Sequence, residues 1–239
     1  MATVSSNDVK KIVYPTSDGR PMAETDYHRD LMLDLIKMLK AWFAGQTRIY
    51  VSGNLLIFYV PGNKRKHVAP DVFVVIGTAN HPRENYLLWE EGKGPDFIIE
   101  LTSSSTRKED IDKKFKLYRD VLKVKEYFLF DPKGDYLKPR LQGYRLENGE
   151  YVPIALVDGR MPSEVLGLHL EADGWVLRLY DPATGRWLPT PDEKIALEEK
   201  ARHEEEKARH EEEKARRRAE AEVERLGREL EKLRQERKT

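Results

Sequence analysis

The sequence predicts an α/β fold in which helices flank a mixed central sheet, with extra β-hairpins and a long charged C-terminal helix. Three observations support this prediction. Apolar residues recur at three-to-four spacing over residues 26–43, β-branched runs occupy residues 71–76 and 96–100, and Glu, Lys, Arg and Ala dominate residues 193–238. The order of the first elements, a helix, several strands, a helix and a strand, is typical of an α/β sandwich.

The first helix is predicted over residues 26–43, because capping residues precede it and Gly45 follows it. Strands are predicted at 48–51 and 55–60. The segment between them, Ser52-Gly53-Asn54, contains a glycine that suits a tight hairpin turn.

The remaining elements of the first part alternate between strands and one further helix. A strand over 72–76 is followed by a short lid or connector over 83–94 and by a strand that enters the next helix. The predictions for the rest are a strand at 97–102, a helix at 106–122, a strand at 126–130, and hairpin-like strands at 141–146, 151–154, 168–170 and 175–180.

Composition restricts the possible functions. The 239 residues contain no cysteine, so any metal must be bound by oxygen or imidazole ligands, which favours Mg²⁺ or Mn²⁺ over structural zinc. No apolar run approaches the roughly 20 residues of a membrane span, and the N-terminus lacks the pattern of a secretion signal. We therefore expect a cytoplasmic protein without membrane contact. The 42 basic and 42 acidic residues balance, which argues against a broad, sequence-blind DNA-binding surface.

A change in composition near Pro189 and Pro191 predicts two domains, residues 1–190 and 191–239. In the second, the heptapeptide Ala-Arg-His-Glu-Glu-Glu-Lys occurs twice in succession, and acidic and basic residues four apart favour a helix. An apolar seam appears only at its end, at Val223, Leu226, Leu230 and Leu233. Two interpretations stay open: a solvated single helix, or a short coiled coil that forms a homodimer.

Two carboxylates at the ends of apolar runs indicate chemistry. Asp71 precedes the run at 72–76 and Glu100 ends the run at 96–100. If these strands are neighbours, the two carboxylates share a divalent cation, and the carbonyl of Leu101 adds a third oxygen ligand. Such a cation permits hydrolysis of a phosphodiester bond without a covalent intermediate.

A lysine that assists the attacking water is expected from the following helix, because Thr102 stands where a strand lysine would be. Asp110, Lys114 and Tyr118 are spaced by four and share one helical face. Lys114 is therefore the candidate catalytic lysine. We expect the Tyr118 hydroxyl to bond to Asp110 or Lys114.

These segments together resemble the Uma2 family, a domain of unknown function within the PD-(D/E)XK nuclease superfamily. The matching segments are residues 70–75, residues 95–103, Ser105-Thr106-Arg107 with Asp110, Lys114 and Tyr118, and residues 126–132. The resemblance covers about residues 14–180. It implies a restriction-endonuclease-like core and Mg²⁺-type chemistry at Asp71 and Glu100. It also implies that the catalytic lysine lies on the helix after the Glu100 strand instead of on that strand. It also implies that Glu24 or His28 lines the site.

The sequence thus favours a Mg²⁺- or Mn²⁺-dependent DNA endonuclease in which Asp71 and Glu100 bind the metal and Lys114 assists the water. Ser103 is expected to cap the following helix and to touch the site beside Thr102. The alternative is a catalytically inactive protein that keeps the nuclease fold and uses its charged C-terminal helix for partner contacts. A metal-dependent hydrolase of RNA or nucleotides is a third hypothesis.

Overall fold

The computed structural model describes residues 12–17, 25–103 and 109–236. The chain divides into two compact units between Thr190 and Pro191. The first unit combines helices with a mixed sheet, which confirms the predicted α/β class.

The helical elements of the first unit are α1 (Asp26–Trp42), α2 (Leu88–Glu91) and two π-helical stretches, π1 (Glu109–Lys114) and π2 (Leu117–Val121). The strands are β1 (Ile49–Ser52), β2 (Ile57–Phe58), β3 (His67–Val68), β4 (Val72–Ile76), β5 (Tyr86–Leu87), β6 (Phe97–Leu101), β7 (Glu126–Phe130), β8 (Leu141–Glu147), β9 (Glu150–Pro153), β10 (Met161–Ser163), β11 (Leu168–Asp173), β12 (Val176–Asp181) and β13 (Arg186–Trp187).

The central sheet has six strands in the order β1-β4-β6-β7-β8-β9. Strands β6 and β7 are parallel, and the other neighbours are antiparallel. In the pairing of β4 with β6, Val72 lies opposite Ile99. Continuing that register by one residue sets Asp71 opposite Glu100, because antiparallel partners move in opposite directions along their strands.

The two faces of this sheet are covered by different helices. Residues 97, 99 and 101 of β6 belong to the apolar core that includes α1, whereas Ile98 belongs to the core that includes Tyr118 of π2. Successive strand residues point to opposite faces, so Glu100 points to the same side as Ile98. The buried residues of α1 contribute roughly 1.5–3 kcal/mol each, and they are Leu31, Met32, Leu35, Met38 and Leu39.

The predicted hairpin between the first two strands is wrong. Strand β1 pairs with β4, whereas β2 pairs with β3 and β5 in a separate three-stranded sheet. The glycine at position 53 therefore does not serve a hairpin turn between these two strands. The predicted connector over 83–94 contains β5 and α2, and Arg83 and Glu91 form an ion pair at 2.5 Å across it.

A third sheet, in the order β10-β11-β12-β13, supplies apolar residues to the core that contains α1. Strands β3, β10 and β13 were not predicted, because two or three residues are too few to show an alternating pattern.

The second unit contains helix α3 (Pro191–Glu236). Ion pairs three or four residues apart stabilise it, such as Arg217 with Glu213 at 2.6 Å. Val223, Leu226 and Leu230 are exposed on this unit. None of the helices in the described part of the chain combines the length and the apolar character that a membrane span requires.

Candidate active site

Asp71 and Glu100 meet at the ends of two neighbouring strands of the central sheet. The backbone N–H of Asp71 donates to Oε2 of Glu100 at 3.4 Å, and the N–H of Leu101 donates to Oδ2 of Asp71 at 2.7 Å. Glu100 is 1% exposed, whereas the side chain of Asp71 is 16% exposed. The structure therefore brings together the two carboxylates that the sequence singled out, with Asp71 on the side nearer to solvent.

Gly53 supports this arrangement from the neighbouring segment. A Cβ atom at this position would lie 2.0 Å from the carbonyl oxygen of Asp71. The N–H of Asn54 also donates to the carbonyl of Pro70 at 2.8 Å. The glycine is therefore required because the backbone carbonyl of Asp71 packs directly against it.

Lys114 of π1 points at the carboxylate of Glu100. Its Nζ lies 3.0 Å from Oε2 of Glu100 and 2.8 Å from Oδ1 of Asp110. Asp110 is as buried as Glu100. A turn of π-helix is wider than a turn of α-helix, so the alternation of π and α geometry between Glu109 and Val121 keeps residues four apart on one face.

Tyr118 holds the other oxygen of Glu100. Its hydroxyl donates to Oε1 at 2.5 Å. The expectation that this hydroxyl bonds to Asp110 or Lys114 is therefore wrong, because those two side chains already form an ion pair with each other. The backbone carbonyl of Asp110 accepts instead from the hydroxyl of Tyr127 at 3.1 Å.

Burial and neighbouring charges shift the pKa values of this cluster. Burial, followed by the charges of Asp71 and Asp110, raises the pKa of Glu100 from 4.5 to about 8, while Lys114 and the Tyr118 hydroxyl oppose the rise. For Lys114, burial acts to lower the pKa, but the charges of Glu100, Asp110 and Asp71 together raise it well above its usual range. Lys114 therefore remains a cation at neutral pH.

Comparison with known proteins gives the family. The sequence profile of the Uma2 family, described as "Putative restriction endonuclease", matches residues 6–179. The chain belongs to the Uma2 family. The match includes the strands of Asp71 and Glu100 and the helical segment of Lys114.

One solved structure that resembles this Uma2 protein is a "putative nuclease belonging to DUF820" from Anabaena variabilis ATCC 29413. It has 18% sequence identity and a TM-score of 0.47, and the match covers 65% of this chain and 82% of that one. No curated protein matches the chain significantly.

The donor set of the Uma2 protein suits a hard divalent cation. Among the residues that the structure describes, the carboxylates of Asp71, Glu100 and Asp110 lie around the ammonium of Lys114, so acidic groups outnumber the basic group there. Within the described ranges, no three Asp, Glu or His side chains converge as metal ligands. Two carboxylates and a backbone carbonyl nevertheless suffice for Mg²⁺, which keeps several of its waters.

The other predicted site residues have different positions. His28 of α1 lies beside the carboxylates, with its Nε2 3.5 Å from Oδ2 of Asp71. Thr102 and Ser103 line a cavity next to the site, and the Thr102 hydroxyl donates to the carbonyl of Phe130 at 3.4 Å. Glu24 lies outside the described residues.

Sequence reasoning missed three contributors to the site. Gly53 was interpreted as a turn residue, although it lies against Asp71. Tyr127 was treated only as part of a strand, although its hydroxyl binds the backbone of π1. Asp131 directly follows the predicted strand at 126–130, where the Asp-Pro pair signals a structured turn, and that turn borders the cavity.

Proposed function

We propose that this chain is a Mg²⁺- or Mn²⁺-dependent DNA endonuclease that hydrolyses phosphodiester bonds. The observation that supports it best is the convergence of the Asp71, Glu100 and Asp110 carboxylates around the ammonium of Lys114. Buried carboxylates that outnumber their cationic partner either take up a proton, as the raised pKa of Glu100 favours, or need a further cation to stay ionised. Membership of a family described as "Putative restriction endonuclease" supports the choice of DNA as substrate.

Asp71, Glu100 and the carbonyl of Leu101 would hold the cation. When bound, Mg²⁺ or Mn²⁺ would neutralise the scissile phosphate and lower the pKa of a coordinated water. The Tyr118 hydroxyl fixes the direction of the Glu100 carboxylate, because it donates to the oxygen that faces away from Lys114.

Lys114 acts in this proposal as a charged hydrogen-bond donor and not as a base. Its pKa is raised by the surrounding carboxylates, so it keeps its proton at neutral pH. A preorganised ammonium at this point stabilises the negative charge that develops on the phosphate oxygens. Asp110 positions the ammonium through its 2.8 Å contact.

Nicking of supercoiled plasmid with Mg²⁺ or Mn²⁺ tests the proposal. The wild type should nick, and Glu100→Gln and Lys114→Met should each lose about 100-fold or more in rate. Lys113→Met is the matched control, because Lys113 is the exposed neighbour on π1. Activity that survives both Glu100→Gln and Lys114→Met at the level of the control would overturn the proposal.

One observation favours a second candidate, a nuclease-fold scaffold without turnover. Both oxygens of Glu100 already have protein partners, Tyr118 and Lys114, so the cluster has a well-bonded arrangement without a cation. This candidate predicts no metal-dependent nicking by the wild type and a stable protein partner bound through α3.

We also propose that the endonuclease forms a homodimer through a short coiled coil at the end of α3. Val223, Leu226 and Leu230 are exposed there and follow heptad spacing. Leu226→Glu should reduce the mass measured by light scattering towards that of a monomer, whereas Ala208→Glu, in the repeat of the same helix, should not. A wild type that is monomeric at 100 μM, or a Leu226→Glu variant that stays dimeric, would contradict this proposal.

A further inference from the structure

A second polar feature lies beside the Asp71–Glu100 site. It is a cavity of about 110 Å³ that lies where the carboxyl ends of β6 and β7 face the start of α1. Thr102 and Ser103 line it after β6, and Lys133 and Tyr136 line it after β7. His28 links it to the site, since this side chain also lies 3.5 Å from Asp71.

The loop after β7 is shaped by Asp131, which is fully buried. Its carboxylate accepts the backbone N–H groups of Gly134 at 2.9 Å, Leu137 at 2.9 Å and Tyr136. Among the described residues that line the cavity, Asp131 is the one with a carboxylate. These three backbone donors stabilise the negative charge of Asp131 and reduce its repulsion of an anion in the cavity.

The other polar groups of the cavity wall suit an anion. They comprise the hydroxyls of Thr25, Tyr27, Ser103 and Tyr136, the imidazole of His28 and the ammonium of Lys133. The hydroxyl of Thr102 donates to the carbonyl of Phe130 and is not counted among them. Hydroxyl, imidazole and ammonium groups are the usual partners of phosphate oxygens in nucleic-acid complexes. The N-terminus of α1, which borders the cavity, is the positive end of the helix dipole and favours negative charge in the cavity.

We propose that this cavity binds the backbone phosphate next to the scissile phosphodiester, on the same strand of the substrate. The proposal rests on the nuclease function proposed above. The cavity is small and most of its lining residues carry a polar group, which suits a phosphate group better than a base, whose recognition needs stacking surfaces and base-edge contacts. It lies at the carboxyl ends of strands, where α/β sheets commonly bind ligands.

Lys133 allows the sharpest test, because it is exposed and its replacement leaves the core intact. Lys133→Gln and Lys133→Glu are compared with Lys37→Gln and Lys37→Glu, which change charge on the exposed face of α1. Duplex DNA binding is measured by fluorescence anisotropy in EDTA over a range of salt concentrations. Lys133→Gln should raise Kd about tenfold at low salt and reduce the salt slope by about 0.9, the value for one phosphate contact. Lys133→Glu should raise Kd further.

Nicking kinetics should show the same pattern. Lys133→Gln should raise KM about tenfold and leave kcat within about twofold, since the residue binds away from the reacting atoms. The Lys37 variants should match the wild type in both assays. Equal Kd, salt slope and KM in the Lys133 and Lys37 series would overturn the cavity proposal while leaving the nuclease proposal intact.

A titration with inorganic phosphate tests the cavity proposal independently of nuclease activity. It is titrated into the wild type and Lys133→Gln while the His28 resonances are followed by NMR. Saturable shifts in the wild type that Lys133→Gln weakens at least fivefold support the subsite even if the protein fails to nick DNA. Unsaturable shifts, or shifts equal in both proteins, count against it.

Discussion

Replacement of Lys114 by methionine should destabilise the metal-free protein markedly. The ammonium lies 3.0 Å from Glu100 and 2.8 Å from Asp110. At an effective dielectric constant of about 20, each contact attracts by roughly 5–6 kcal/mol before desolvation is counted. Removal of one member of a buried ion pair costs about 3–5 kcal/mol net, because the remaining charge stays buried without its partner.

The lower end of that range applies here for two reasons. The Lys114 side chain is 16% exposed, so water reaches the site, and Glu100 can take up a proton in the variant because its pKa is already raised to about 8. We therefore expect a loss of about 3 kcal/mol in the free energy of unfolding. For a unit of this size, that loss lowers Tm by roughly 6–12 °C.

Thermal unfolding followed by circular dichroism measures this effect, with Lys113→Met as the control for the same chemical change at an exposed position. Millimolar Mg²⁺ should restore more of the lost stability in Lys114→Met than it adds to the wild type, because the cation replaces the missing ammonium. Equal Tm values for Lys114→Met and Lys113→Met would refute the reasoning that Lys114 neutralises the buried carboxylates.

Three further predictions concern the same site. The folded-state pKa of Glu100 lies above its ordinary value of 4.5. Without metal, the contribution of Glu100 to stability is therefore full below about pH 4.5 and is lost as the pH rises to about 8. Urea unfolding should show that Glu100→Gln removes this loss of stability, which reaches at most ~1.4 kcal/mol per pH unit. Tyr118→Phe removes a hydrogen bond that lowers the pKa of Glu100, so the acidic limb of the pH–rate profile should move up by about one pH unit, and an unmoved limb would contradict the assigned contact. Gly53→Ala forces the backbone of Asp71 to move and should cost about 1–3 kcal/mol and most of the nicking activity. Gly227→Ala in α3, with open space around it, should not lower stability, because alanine favours a helix more than glycine does, and it should leave nicking unchanged.

Much of the site could be predicted from the sequence because its residues end short apolar runs. Asp71 and Glu100 stand at the ends of strands that a six-residue window already identifies. Lys114 and Asp110 are four apart, and helical spacing alone brings such residues together. Three elements carry these residues: β4 and β6 are neighbours in the sheet, and π1 brings Lys114 to Glu100. Short-range patterns were therefore sufficient to identify each of them.

The remaining features depend on contacts between distant segments, which periodicity does not record. Gly53 lies against Asp71, 18 residues away in the chain, so its neighbourhood shows only a glycine suited to a turn. The spacing of apolar residues does not distinguish π-helix from α-helix, and the partner of the Tyr118 hydroxyl depends on how the helix rests on β6. The Asp131 loop forms through hydrogen bonds to its own backbone, a pattern that apolar spacing cannot reveal.

Calorimetric titration of Mn²⁺ into the metal-free protein tests the central claim most directly. The wild type should bind one ion per chain and release protons on binding near pH 7, because Glu100 must ionise to become a ligand. Asp71→Asn and Glu100→Gln should each weaken binding at least tenfold, while Lys113→Met should not. A wild type that binds no Mn²⁺ at millimolar concentration, or carboxylate variants that bind as tightly as the wild type, would contradict the account.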